Sequence, residues 1–171
     1  LTKKYGQHEV LKDIWLAFYP GAKIGVLGRN GAGKSTLLRI MAGQEQEFDG
    51  EARLTDGFTV EYVPQEPVLD TTTDVRGNIE QAVESVRSVL REFDEINAKL
   101  GEPMEPEAME KLLERQAKVQ DRIETLNAWE LDRQVEIAMD AMNLPPGDAD
   151  VTTLYGGERR RLALCKVLLH K

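Results

Sequence analysis

The sequence predicts an α/β fold, with a mixed sheet and an inserted antiparallel pair of helices. Two observations support the sheet and the helices that flank it: a glycine-rich loop at residues 28–35 between an apolar segment and a helix, and a glycine pair at residues 156–157 that begins another helix. A heptad pattern over residues 79–126 predicts the helical pair. With 171 residues, 41% of them hydrophobic, the chain can bury one core and carry an appendage.

The part of the chain around the glycine-rich loop has the pattern of short strands separated by turns. Apolar and β-branched residues cluster in four candidate strands, at 14–18, 23–27, 51–54 and 58–63. After the loop, residues 36–42 have a helical pattern that ends at Gly43. We therefore expect a sheet whose strand at 23–27 leads into the loop and then into a helix.

The loop itself, Gly-Arg-Asn-Gly-Ala-Gly-Lys-Ser, fits the pattern G-x-x-x-x-G-K-[ST], which wraps the phosphates of a nucleoside triphosphate. Glycines let backbone N–H groups converge on phosphate oxygens, and the N-terminus of the following helix attracts the same anion. Lys34 is expected to reach the β- and γ-phosphates, and Ser35 to offer its hydroxyl to Mg²⁺. The predicted ATP-binding residues of this phosphate loop are Gly28, Asn30, Gly31, Ala32, Gly33, Lys34, Ser35 and Thr36.

The heptad pattern predicts two long helices that pair in opposite directions. One apolar stripe follows positions 79, 83, 86, 90, 93, 97 and 100, with Asn97 as a polar layer. A second stripe at 109, 112, 116, 119, 123 and 126 matches it when read backwards, after a break at Gly101 and Pro103. A projecting hairpin and a helical subdomain packed on the core both fit this pattern. A further helix is expected at 131–142.

Charge and composition exclude several classes of protein. Residues 76–142 hold 16 acidic and 9 basic residues, a net charge of −7, whereas the whole chain carries −8. A surface that wraps RNA needs clustered Lys and Arg, so the helical pair is not expected to act that way. No apolar run approaches the ~20 residues of a membrane helix, and the one cysteine, Cys165, fits a reducing cytosol.

A second motif, Leu154-Tyr155-Gly156-Gly157-Glu158, resembles the signature motif of ATP-binding cassette (ABC) ATPases. Between the two motifs lies Tyr62-Val63-Pro64-Gln65, which resembles the Q-loop of the same proteins. The amino-acid sequences of residues 18–28, 62–67 and 156–161 resemble those of the ABC-F family. Members of that family are soluble ATPases with two cassettes that act on ribosomes. The resemblance extends over essentially the whole chain.

The resemblance implies roles for several residues. Gln65 is the expected catalytic residue, which approaches Mg²⁺ and the attacking water, so Ser35 and Gln65 are the expected metal-contacting residues. Gly156, Gly157 and Glu158 are expected to contact the nucleotide held by an opposite cassette. Tyr5, 23 residues before Gly28, is placed to stack on adenine, although packing explains it equally well. Tyr155 departs from the family, because serine is usual there.

The resemblance also implies a domain plan. Residues 1–75 are expected to form the ABC core, which contains the phosphate loop (the Walker A motif) and the Q-loop. Residues 76–128 are expected to form an inserted helical arm, and residues 129–171 are expected to form a helical subdomain that contains the signature. The sequence contains no hydrophobic strand that ends in Asp-Glu, the pair that organises Mg²⁺ and catalyses hydrolysis in this family. This piece alone is therefore expected to hydrolyse ATP poorly.

The implied function is the ATP-binding part of a cytoplasmic ATPase that binds the ribosome and regulates translation in response to ATP and ADP. The expected cofactors are ATP and Mg²⁺, and the expected partners are the ribosome (rRNA, ribosomal protein and tRNA) and a second cassette, with no membrane partner. Three alternatives remain open: the ATPase subunit of a membrane transporter, a chromosome or repair ATPase with a coiled coil, and a non-catalytic module that only displays the helical pair.

Overall fold

The computed structural model describes residues 1–170, which divide into two units, Leu1–Tyr62 and a second unit that begins at Val63. The first unit begins with a hairpin of two antiparallel strands, β1 (Lys3–Tyr5) and β2 (His8–Leu11), in which Tyr5 pairs with His8. Its one described helix, α1, spans Lys34–Met41 and so begins inside the predicted phosphate loop. Leu11 of β2 and Ile40 of α1 are the buried hydrophobic residues of this unit.

The predicted mixed sheet is not found in residues 1–170. None of the four candidate strands, at 14–18, 23–27, 51–54 and 58–63, forms a strand in the structure. Apolar β-branched residues give a segment the capacity to pair, but a strand exists only where a neighbour completes its hydrogen-bond ladder. These segments have no such neighbour in the described part of the chain, and most of their apolar side chains stay exposed, as with Trp15 (85%) and Leu27 (94%).

The second unit consists of helices. They are α2 (Val75–Leu100), α3 (Pro106–Leu126), α4 (Leu131–Ala141) and α5 (Gly156–Leu169), with short 3₁₀ turns at Ala128–Glu130 and Val151–Thr153. Proline at the first position of α3 suits a helix start, where its missing N–H has no role. Asn127 closes α3 in the left-handed conformation, with φ at +50°.

Helices α2 and α3 lie side by side and run in opposite directions. Arg115 of α3 donates to the carboxylate of Glu92 at 2.6 and 2.9 Å, and Gln116 donates to Asn97. Arg122, two turns further along α3, also reaches Glu92, at 3.9 Å. Since residues late in α2 contact residues early in α3, the five residues 101–105 act as a short connection between antiparallel helices.

The buried face of α2 differs from the predicted stripe. Ile79, Val83 and Val86 are buried as expected, but Val89 and Ile96 are buried in addition and Asn97 is exposed. Asn97 does make the predicted polar contact between the two helices, because it accepts a hydrogen bond from Gln116, but it lies at an exposed position and not in a buried seam. Helix α2 packs against α5 as well as α3, so more than one stripe of it faces the core, and a straight helix also drifts from a strict heptad.

Buried polar groups fix the start of α2. The Asn78 side chain is fully buried; its amide nitrogen donates to the carbonyls of Asp70 (2.8 Å) and Asp74 (3.1 Å), and its oxygen accepts from the Asp70 N–H at 3.0 Å. The carboxylate of Asp74 caps the helix by accepting from the Gly77 N–H at 2.7 Å. Asn78 thus holds the segment that follows Gln65 against the first turn of α2.

Ion pairs connect the same half of α2 to α4. Arg76 pairs with Glu136 and, at 3.1 Å, with Glu80, while Arg87 pairs with Asp132 and, at 2.9 Å, with Glu80. The hydrogen bond from Arg87 is the main reason that the pKa of Glu80 lies below its usual range. Two arginines of α2 therefore reach two carboxylates of α4, and both also pair with Glu80 on α2 itself.

The Asn78 contacts predict a large loss of stability when its side chain is removed. Asn78→Ala leaves the Asp70 N–H and C=O groups buried without partners, so unfolding should become easier by about 2–3 kcal/mol. The measurement is urea unfolding followed by circular dichroism. Asn97→Ala is the matched control: its exposed side chain accepts a hydrogen bond from Gln116, so the expected cost is about 1 kcal/mol or less. Equal losses in the two variants would contradict the prediction.

Candidate nucleotide-binding site

The phosphate loop depends on two of its glycines for its backbone shape. Gly31 and Gly33 have φ values of +82° and +86°, a region that side chains with a Cβ rarely adopt. A Cβ on Gly33 would also lie 2.9 Å from carbons of Val10 and Leu11, so β2 packs directly on this glycine. Gly28 does not share this requirement, although the motif predicts that all three glycines are needed for the backbone shape. Its φ is not positive, and a Cβ there would meet Ala32 at an ordinary contact distance of 3.5 Å.

The Lys34 ammonium group lies within the phosphate loop. It donates to the carbonyls of Gly28 and Arg29, each at 2.8 Å, so the loop curls around the cation. Ser35 is exposed in the first turn of α1, whereas Thr36 is buried. Of the two other predicted residues, Asn30 is exposed and the Ala32 N–H donates to Arg29 at 3.2 Å within a turn. A triphosphate would meet a positive charge beside the N-terminus of α1.

Tyr5 belongs to a small polar cluster at the end of β1. Its hydroxyl donates to the Glu45 carboxylate at 3.0 Å, and the Lys3 ammonium lies 4.6 Å from the centre of its ring. The hydrogen bond from Lys3 and then the one from Tyr5 hold the pKa of Glu45 below its usual range. The ring is 46% exposed, so a surface for stacking remains, and the adenine role of Tyr5 stays a prediction.

Gln65 is exposed, and its backbone carbonyl accepts a hydrogen bond from Nε of Arg160 on α5 at 2.8 Å. Sequence reasoning missed this contact. None of Arg159, Arg160 and Arg161 forms an ion pair among residues 1–170. A sequence carries no signal for a bond between an arginine and a main-chain carbonyl 95 residues away.

The signature residues form the exposed start of α5. Tyr155 precedes the helix with its side chain 80% exposed, and its N–H donates to the Glu158 carboxylate at 2.9 Å. Glu158 is therefore engaged in closing the first turn of its own helix. A Cβ on Gly156 would meet open space, so the backbone N–H groups at this end are accessible.

The donor groups fit the cofactors that the motifs imply. A loop that holds an ammonium group between two glycines in the left-handed region has the charge and the close backbone approach that phosphates need. Mg²⁺ prefers oxygen ligands, which the Ser35 hydroxyl and the Gln65 amide can provide. Of the predicted site residues, the phosphate loop and Tyr5 lie in the first unit, and Gln65 and the signature residues lie in the second.

Comparison with known proteins identifies the family. The family described as ABC transporter matches residues 11–171, nearly the whole chain. The chain belongs to the ABC transporter family. This confirms the resemblance drawn from the phosphate loop, Gln65 and the signature, and it makes the chain a nucleotide-binding domain of the P-loop class.

Among the curated relatives of this ABC domain are energy-dependent translational throttle proteins, called EttA. The one from Mycobacterium tuberculosis is 47% identical over 171 residues, and the one from Haemophilus influenzae is 50% identical over 165 residues. The tylosin resistance ATP-binding protein TlrC of Streptomyces fradiae is 37% identical over 170 residues. These matches cover 96–100% of this chain but only 29–31% of the relatives, so the chain spans about a third of their length.

The contacts of Gly33 predict that even the smallest side chain disturbs the phosphate loop. Gly33→Ala forces a Cβ against Val10 and Leu11 at a φ that alanine adopts only with strain, so stability should fall by about 1–3 kcal/mol. Gly25→Ala is the control, because a Cβ there meets nothing within 4 Å and its φ is not positive. Urea unfolding of both variants makes the comparison, and a Gly33→Ala protein as stable as Gly25→Ala would refute the argument.

Proposed function

We propose that this chain is the ATP-binding part of an ABC-F ATPase that binds the ribosome and regulates translation in response to ATP and ADP. The observation that carries the nucleotide part is the phosphate loop, in which Lys34 lies between carbonyls of Gly28 and Arg29 beside the start of α1. The ribosomal part is supported by the relatives, several of which are named translational throttle proteins.

Within the phosphate loop, each group has a distinct task. Lys34 would exchange its two carbonyl partners for oxygens of the β- and γ-phosphates, because an ionised acceptor binds an ammonium group more strongly than a neutral carbonyl does. The N–H groups around Gly31 and Gly33 would bind phosphate oxygens. The Ser35 hydroxyl would bind Mg²⁺, which in such sites neutralises the charge of the phosphates. Gln65, which belongs to the second unit, keeps the role in contacting Mg²⁺ and water that the family resemblance implies.

The exposed start of α5 supports a partner cassette. Gly156 and Gly157 leave their N–H groups near the surface, and Glu158 stabilises the turn that presents them. In the proposed arrangement this end contacts the nucleotide of a second cassette, as the family resemblance implies. Tyr155 then stands at the position that serine usually occupies, with its large side chain directed into solvent.

We also propose that α2 and α3 form an arm that contacts ribosomal protein. Most basic side chains along the pair are already bound to carboxylates, as in the pairs Arg91–Glu84, Lys111–Glu107 and Arg115–Glu92. Neutralised bases attract phosphates weakly, which argues against an RNA-wrapping surface. The connection between the helices instead offers a groove lined by apolar and charged side chains: Pro103, Met104, Ala108 and Leu112, with Lys99, Glu102, Lys111 and Arg115.

The ATPase subunit of a membrane transporter is the alternative, because the family name covers both kinds of protein. Among residues 1–170, no helix is both long enough and apolar enough to be a membrane span. The 26-residue helix α2 and its partner α3 favour the ABC-F proposal, since a transporter subunit has no evident use for such a pair.

The role of Lys34 predicts that nucleotide binding requires its ammonium group. Titration of the complete protein with ATP and Mg²⁺ should raise the melting temperature, and Lys34→Met should weaken binding by at least about tenfold. Lys23→Met, which removes an exposed charge outside the loop, should bind as the wild type does. If ATP did not change the melting temperature of the wild-type protein, the result would instead favour the hypothesis that the chain is a non-catalytic module.

The ribosomal role predicts nucleotide-dependent pelleting with ribosomes. The complete protein, centrifuged through sucrose with purified ribosomes, should pellet with ATPγS and stay in the supernatant with ADP. Met104→Asp places a charge in the groove and should reduce pelleting several-fold, whereas Met109→Asp, at an exposed position of α3, should not. Recovery with a membrane protein, and no pelleting with ribosomes in either nucleotide, would support the transporter alternative.

A further inference from the structure

One contact between the Gln65 segment and the signature helix has no role in the function proposed so far. The Nε–H of Arg160 donates to the backbone carbonyl of Gln65 at 2.8 Å, a normal distance for a bond with a charged donor. Arg160 is the fifth residue of α5, so it lies one helical turn after Gly156, the first of the two exposed glycines. The bond uses only the main chain of Gln65 and leaves its side-chain amide available.

A second set of bonds attaches the same segment to α5 further along the helix. The Asp70 carboxylate accepts from Gln81 at 2.6 Å, and the Asp70 main chain is bound by Asn78. Lys166 of α5 then donates to the side-chain oxygens of Asn78 (3.3 Å) and Gln81 (3.4 Å). The segment 65–70 is therefore connected to α5 near both of its ends, directly through Arg160 and indirectly through Lys166.

The Asp70 end of the segment carries an ionised carboxylate near a half-buried lysine, Lys166. Hydrogen bonds from Thr72 are the main cause that lowers the pKa of Asp70, so its carboxylate stays ionised. Burial lowers the pKa of Lys166, and the negative charge of Asp70 opposes that change. At the other end, Pro64 and Pro67 restrict the backbone on both sides of Gln65. With these limits, the Arg160 bond is the contact that sets the direction of the Gln65 carbonyl.

We infer that Arg160 is a positioning residue, which orients Gln65 for ATP hydrolysis by binding its backbone carbonyl. The inference rests on the proposed function, because it takes Gln65 as the residue that approaches Mg²⁺ and water. In this role Arg160 acts through Gln65 and not directly on nucleotide or metal. A shift of about 1 Å in a catalytic group lowers rates strongly while substrate binding is little changed. Loss of the bond should therefore reduce kcat rather than raise KM.

The test is steady-state ATP hydrolysis by the complete protein. Arg160→Met keeps the apolar stem and removes the donor, so kcat should fall about tenfold while KM stays within about twofold. Arg160→Lys, which can still donate to a carbonyl, should recover most of the rate. Arg133→Met, which removes an exposed arginine from α4, is the control and should behave as the wild type does. In a Gln65→Ala background, Arg160→Met should cause no further loss.

The outcomes separate the inference from the proposed function. Wild-type protein that hydrolyses ATP, with an unchanged kcat in Arg160→Met, overturns the inference alone. A rise in KM without a fall in kcat, or additive losses with Gln65→Ala, also overturns it. If the wild-type protein does not hydrolyse ATP, that result overturns the proposed function. It then also overturns the inference, because there is no hydrolysis for which Arg160 could position Gln65. Thermal melting checks folding, and Arg160→Gln provides a second variant if Arg160→Met melts early.

Discussion

The helical unit depends on how the first turn of α2 satisfies its backbone N–H groups. A helix leaves its first N–H groups without partners inside the helix, and buried groups of this kind must find acceptors elsewhere. In α2, Val75 donates to the carbonyl of Ala149 at 3.1 Å, Arg76 to that of Gly147 at 2.8 Å, and Gly77 to the Asp74 carboxylate. The acceptors of Val75 and Arg76 belong to the segment that leads into α5, so the start of the helical pair and the approach to the signature share hydrogen bonds.

This constraint brings together three segments that the sequence keeps far apart. Asn78 attaches the segment after Gln65, the Ala149 and Gly147 carbonyls attach the segment before α5, and Arg160 adds a direct bond from α5 to Gln65. Ion pairs from Arg76 and Arg87 hold α4 to the same half of α2. A shift at any of these positions therefore acts on the base of a helix that is 26 residues, or about 39 Å, long. In the proposed function, this connection is the route by which a contact of the arm would respond to nucleotide.

Local signals predicted the parts of the fold that need no distant partner. Glycine and lysine spacing located the phosphate loop and α1, and apolar periodicity located α2, α3 and α4 close to their observed bounds. The prediction of a mixed sheet was wrong for the opposite reason. Apolar patterns indicate that a segment can pair as a strand, but they do not indicate whether a neighbouring strand is present. The burial of Val89 and Ile96 was missed because a heptad describes one partner, whereas α2 packs against two.

The candidate site shows the same division. Gly31 and Gly33 follow from the loop motif, since their backbone angles admit little else, but the motif does not say that Val10 and Leu11 close over Gly33. Asn78 had a signal that could have been used, because a polar residue beside an apolar stripe at a helix start often binds the preceding loop. Arg160 had none, because its partner is a main-chain carbonyl, and every residue has one.

Native-state hydrogen exchange tests the central claim most directly, namely that these segments behave as one cooperative body. Exchange would be followed at the amides of Asp70, Val75, Arg76 and Gly77 in increasing, sub-denaturing urea. The account predicts one common free energy of opening for all four amides, and a common decrease in Asn78→Ala. Amides of Val75 and Arg76 that open at a clearly lower free energy than that of Asp70, with no response to Asn78→Ala, would contradict it.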